Sequence, residues 1–133
     1  MILLDTHALI WWVSDPSRIP ARARRLLDST VKAGERLGVS SISIWEVAML
    51  VDHGRLALTL ALDVWIQQVE SLSFLSFHPV DNRIAARAVR LDDFPHRDPA
   101  DRMIAATALE LGATLVTADA RLRGYSRVKT VWD

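Results

Sequence analysis

The chain has 133 residues, half of them apolar, with sixteen basic and sixteen acidic residues and no cysteine. That is enough for one domain, 1–133, with its own core, and it excludes a disulfide framework, a thiolate nucleophile and a thiolate-held zinc. A formal charge of zero provides no overall field to recruit nucleic acid, so any steering has to be local.

In chain order, the apolar run Ile2–Leu4 closed by Asp5 predicts a short buried strand, followed by a helix over Ala8–Val13. Pro16 and Pro20 bracket a loop, and Ala21–Ala33 is an Arg-rich helix stopped by Gly34. Leu37–Ser40 is a second strand. Ser43 and Glu46 have the spacing of a capping box, which predicts a helix opening there and ending near Gly54. Leu62–Ser71 is an amphipathic helix, Phe74–Phe77 a third strand, and Asn82–Leu91 a helix with Arg83, Arg87 and Arg90 on one face. Asp98-Pro99 has the N-cap and N1 residues of a helix that runs to Gly112. A fourth strand over Thr114–Thr117, a short helix over Asp119–Arg123 and a fifth strand over Val128–Thr130 complete the chain.

Strands alternating with helices predict an α/β fold, a parallel sheet with helices on both faces. Ligands of such sheets bind beyond the carboxyl ends of the strands. Asp5 and Asp119 follow two of those ends, and Glu46 and Asp101 lie early in helices that begin at the same edge. Four carboxylates brought together repel one another and raise one another's pKa, a conflict that a divalent cation removes. Oxygen donors without cysteine favour hard ions, Mg²⁺ or Mn²⁺, and phosphodiester hydrolysis is the matching reaction.

Each acid also has a plain structural reading. Glu46 completes a capping box, Asp101 complements a helix dipole, and Asp98 and Asp119 are N-caps. Asp5 is hardest to explain that way, because a carboxylate beside a buried strand needs a partner or a metal. Thr6 and Thr117 flank Asp5 and Asp119 and are candidates to hold those carboxylates or a water on the cation. Arg97 and Arg102 flank the acids in HRDPADR, either as contacts to the substrate or as braces for Asp101. His7, His53, His78 and His96 lack ligand spacing and read as surface or packing residues, and Trp11, Trp12, Trp45, Trp65 and Trp132 as packing. Fourteen of the sixteen basic residues are Arg, whose planar fork suits phosphate, although a GC-rich coding bias has the same effect.

With these residues the chain resembles a PIN domain, specifically a VapC-type toxin ribonuclease of a toxin–antitoxin pair. The opening MILLDTHALIWW, the segment SSISIWEVAML, the stretch HRDPADRMIAATALELGATLVTAD and the final VKTVWD carry the resemblance over essentially the whole length. It implies a three-layer fold on a five-stranded parallel sheet, and a Mg²⁺- or Mn²⁺-dependent endoribonuclease whose acids are Asp5, Glu46, Asp101 and Asp119, with Asp98 as a fifth. It further implies a homodimer, or a hetero-oligomer with a cognate VapB-type antitoxin whose C-terminal segment lies across the active-site groove. Here Ala120-Arg121-Leu122 follow Asp119 where the family often has further polar or acidic residues, which bears on a second metal position.

Two other phosphate-handling folds fit less well. A phosphoacceptor receiver domain wants paired acids after the first strand and a late lysine, and a haloacid-dehalogenase-like phosphatase wants an acid where His7 stands. The competing function is a PIN-fold binding module without turnover, acting through protein or RNA partners. With no long apolar run and no signal-peptide pattern at the start, a cytoplasmic protein with no membrane association is expected.

Overall fold

A computed structural model describes residues 1–95 and 97–133. Among them, β1 (Ile2–Leu4), β2 (Leu37–Ser40), β3 (Leu75–His78), β4 (Thr114–Val116) and β5 (Thr130–Val131) form one sheet in the order β3-β2-β1-β4-β5. All four pairings are parallel. Each crossover carries at least one helix: α1 (Thr6–Ser14), α2 (Ala21–Lys32), α3 (Ser41–Asp52), α4 (Leu62–Ser71), α5 (Asn82–Val89), α6 (Pro99–Leu111) and the single turn α7 (Ala120–Arg123).

Strand periodicity explains the three layers. Leu3 and Leu4 are adjacent and both fully buried, because successive strand side chains point to opposite faces and both faces are covered. Leu4 and Val116 pack with Leu9, Leu27, Val47 and Trp65 of α1 to α4. Leu3 and Leu115 pack with Ile104, Ala105 and Ala108 of α6 and with Leu122 of α7. The small side chains of α6 allow the helix to approach the sheet closely, and its Ala106 meets Ile84 and Ala88 of α5 behind it. Gly112 ends α6 with φ +60°, a left-handed conformation that glycine adopts without Cβ strain.

Several element boundaries differ from the sequence reading. The helix after β2 opens at Ser41, and Ser40 is its cap, accepting the Ile42 N–H at 3.2 Å. Ser40, Ser41 and Ser43 all qualify chemically as caps. The extended backbone that ends β2 at Ser40 selects the first, so Glu46 lies in the second turn and closes no capping box. The first helix begins at Thr6, directly after its cap Asp5 and two residues before the expected start. The third strand begins one residue late, and the fifth is shifted to Thr130–Val131 because Val128 turns into the core with Tyr125. A 3₁₀ turn at Pro16–Arg18 occupies the predicted loop. No helix among the described residues is long and apolar enough to cross a membrane.

Candidate active site

The chain runs up one side of the sheet from β1 to β3 and returns to pair β4 on the other side of β1. That reversal leaves a crevice beyond the carboxyl ends of β1 and β4. Asp5 follows β1 and Asp119 follows β4; α3 leaves the end of β2; and α6, running antiparallel to β4, begins at the same edge. A cavity of about 420 Å³ opens there, lined by Asp5, Thr6, His7, Trp11, Glu46, Asp98, Asp101 and Asp119. All four acids expected at the site, and Asp98 with them, come together.

Asp5 caps α1: its Oδ1 accepts the Ala8 N–H at 2.9 Å, and its Oδ2 accepts the hydroxyl of Thr117. Thr117 Oγ1 in turn accepts the Asp119 N–H at 3.0 Å, so one buried hydroxyl links the acids that follow β1 and β4. Asp119 caps α7, receiving the Arg121 and Leu122 N–H groups on Oδ1. Asp98 caps α6, taking the Ala100 N–H at 2.9 Å and the Asp101 N–H at 3.3 Å. Capping and cavity lining thus coexist, because a helix that begins at the crevice presents its cap residue to it. Thr6 holds Glu46: its Oγ1 donates to Glu46 Oε1 at 2.5 Å and lies 3.0 Å from Ser43 Oγ, which can donate to it. Both threonines therefore orient carboxylates.

The electrostatics record the crowding. Burial, and then the charges of Asp98, Glu46, Asp119 and Asp5, push the Asp101 carboxyl from 3.8 to about 7. Burial raises Asp5 from 3.8 to about 6 against the opposing effect of Thr117, the Ala8 N–H and His7, with Glu46 adding to the rise. Glu46 is raised as well, first by burial and then by Asp98 and Asp119, while Thr6 and His7 pull it down. Three carboxyls held above their ordinary values by burial and mutual repulsion are in deficit of positive charge.

The donor set fits a hard divalent cation: five carboxylates, hydroxyls beside them and no sulfur. Among the described residues no three acidic or histidine side chains are already closed into a metal-holding cluster. The acids stand around the cavity, and Asp5, fixed on both oxygens, retains acceptor capacity for a cation because each carboxylate oxygen accepts more than one bond.

The flanking arginines separate. Arg97 is exposed on the segment just before Asp98. Arg102 Nε donates to the Ala88 carbonyl at 2.8 Å and its Nη2 to Val89 at 3.2 Å, tying the last turn of α5 to the start of α6. Its guanidinium also lies 5.2 Å from the centre of the Phe94 ring, which meets Tyr125 edge-on at 5.0 Å. Arg102 is thus a brace for the segment that delivers Asp98 and Asp101. The sequence reading did not place His7 and Trp11 at the cavity. The signal available was their i, i+4 spacing on a helix whose cap is Asp5. His53 and His78 lie at the end of α3 and in β3; His96 lies outside the described residues.

The PIN domain family matches residues 2–128. The chain belongs to the PIN domain family. This PIN domain is 37% identical over 134 residues to Ribonuclease VapC22 of Mycobacterium tuberculosis (strain ATCC 25618 / H37Rv), covering 98% of each chain. In fold it is similar to VapBC2 of Rickettsia felis bound to a DNA fragment from its promoter, with a TM-score of 0.72, 19% identity and all of both chains covered. It is also similar to FitAcB of Neisseria gonorrhoeae, at a TM-score of 0.66 and 26% identity over 98% of this PIN domain and 96% of that chain. The three-layer parallel sheet expected from the sequence is the fold that these relatives share.

Proposed function

We propose that this PIN domain is the toxin ribonuclease of a toxin–antitoxin pair, hydrolysing RNA phosphodiester bonds with Mg²⁺ or Mn²⁺ held by Asp5, Glu46, Asp101 and Asp119, with Asp98 beside them. One observation carries the reading: Asp5, Glu46, Asp119 and the pair Asp98 and Asp101, from four separate parts of the chain, line one cavity, an arrangement that costs stability unless a cation occupies it. The relation to Ribonuclease VapC22 supports RNA as the substrate. The likeness in fold to VapBC2 accords with a VapB-type antitoxin as the restraining partner, and the proposal places the toxin in a homodimer or a hetero-oligomer in the cytoplasm.

When bound, the cation would neutralise the phosphodiester, acidify a water molecule for attack and offset charge on the leaving oxygen. The residues of the chain prepare the place for it. Thr117 and the Ala8 N–H hold both oxygens of Asp5, so its carboxylate meets the substrate in one fixed orientation. Thr6 does the same for Glu46. Asp98 and Asp119 are anchored through backbone amides of the helices they cap. Burial of Asp5 removes competing water from one side of the cavity. Asp101, titrating at about 7, can hold a proton on its carboxyl at neutral pH until positive charge arrives.

The test is cleavage of single-stranded and structured RNA by the protein freed of antitoxin. RNA fragments are expected with Mg²⁺ or Mn²⁺ and none with EDTA. Intact RNA in both, at high enzyme concentration, would favour the non-cleaving binding module.

A further inference from the structure

The acidic cavity has one wall that the cation chemistry does not use. Of the eight described residues that line it, five are carboxylates and Thr6 is committed to Glu46 and Ser43; the other two are rings, His7 and Trp11. They stand four residues apart on one face of α1, a single turn from the Asp5 cap, with centroids 5.6 Å apart and planes at 54°. Trp11 is fixed in place. Trp132 packs against it at 5.7 Å, and the Arg18 guanidinium sits 4.7 Å over its ring. His7 leans on this anchored indole and is itself exposed to solvent.

We propose that His7, backed by Trp11, is a stacking surface for one nucleobase of single-stranded RNA beside the cleaved linkage. The proposal rests on the ribonuclease reading above and adds a contact that reads the base instead of the phosphate. A phosphate drawn among the carboxylates carries its base on the attached sugar, and an unstacked base on a single strand lies down on whatever flat apolar surface adjoins. Among the described residues, the only rings lining this cavity are those of His7 and Trp11. Because Arg18 and Trp132 already hold Trp11, the platform is formed before substrate arrives and loses little side-chain freedom on stacking. Stacking tolerates any base, so His7 contributes grip more than sequence choice.

The experiment is binding of a short, labelled, randomised single-stranded RNA, followed by fluorescence anisotropy with Ca²⁺ in place of Mg²⁺, and cleavage of the same RNA with Mn²⁺ in parallel. His7→Ala is expected to weaken binding about tenfold, the scale of one lost base stack. His7→Phe, which keeps a ring and removes the imidazole nitrogens, restores binding to within about twofold of the original. A ribose-phosphate strand of the same length without bases binds the unaltered protein about as weakly as RNA binds His7→Ala, and loses nothing more on that substitution. Equal loss in the Phe and Ala variants, or equal loss with and without bases, overturns the stacking surface and points to the imidazole nitrogens. Cleavage by the unaltered protein with no effect of His7 on binding keeps the ribonuclease reading and discards this one. The reverse pattern, base-dependent binding through His7 with no cleavage, keeps the stacking surface and discards the ribonuclease. Unaltered protein that holds no RNA discards both.

Discussion

Asp5→Asn is expected to reduce RNA cleavage by at least about 10³-fold, corresponding to roughly 4 kcal/mol of lost transition-state stabilisation, while leaving the metal-free protein as stable as before or more so. The two effects have one cause. Asp5 is buried, its carboxyl is raised to about 6, and at neutral pH its charge opposes folding. Moving a carboxyl from 3.8 to about 6 corresponds to roughly 3 kcal/mol of destabilisation once the group is ionised. Asparagine has nearly the shape of the protonated acid. Its oxygen can still cap α1 through the Ala8 N–H, and its amide can meet Thr117 Oγ1, which has a second lone pair besides the one taken by the Asp119 N–H. Cleavage assays at saturating Mn²⁺ and thermal melts in EDTA read the two halves separately. A variant that fails to fold would make Asp5 a structural cap first, and a variant that still cleaves would remove it from the site.

The second large effect is a stability that falls as pH rises. Asp5 and Asp101 have folded pKa values above their unfolded ones, at about 6 and about 7 against 3.8. The stability they contribute is therefore complete below about pH 3.8 and is lost as pH climbs through those folded values. Glu46 shifts in the same direction. In EDTA, the urea midpoint should fall between about pH 4 and pH 8: Asp5 contributes an amount equivalent to about 3 kcal/mol that is lost by about pH 6, and Asp101, partly open to water, a loss that continues to about pH 7. Mg²⁺ or Mn²⁺ should flatten that slope and raise the midpoint, since a ligand at one hundred times its Kd adds about 2.7 kcal/mol. A midpoint that rises or stays level over this range without metal would mean that the acids are not in conflict. Asp101→Asn should flatten the slope, most of all above about pH 6 where Asp5 is already ionised, by removing one of the groups that titrate across it.

The architecture was legible because its signal is long: alternating apolar strands and helices specify a parallel sheet, and the sheet specifies which edge gathers its ligands. Asp5, Asp119 and the start of α6 could be placed at that edge from chain order alone. Local choices were less legible. The serines at 40, 41 and 43 compete for one cap, and only the backbone direction at the end of β2 decides between them. β5 pairs through just two residues, Thr130 with Leu115 and Val131 with Val116, too few for periodicity to register. The hydroxyl of Thr117 joining Asp5 to the Asp119 amide depends on a side-chain rotamer and a crossover, neither of which leaves a pattern in the chain. Arg102 shows the same limit: its neighbour Asp101 suggested an ion pair or a substrate contact, whereas α5 had to be in place before its carbonyls could be seen as the partners. His7 carries no signal in the sequence because isolated histidines are usually surface residues. Its position became informative only once Asp5 was fixed as the residue that starts α1.

That the acids line one cavity without yet closing on a point makes the cation the decisive unknown of the site. Diffraction from crystals soaked in Mn²⁺, recorded at the manganese absorption edge, tests this most directly. The account predicts an anomalous peak within coordination distance of Asp5 and at least one of Asp101, Asp119 and Glu46, absent from Asp5→Asn crystals. Crystals of cleavage-competent protein with no manganese among these carboxylates, or with manganese bound only elsewhere, would contradict it.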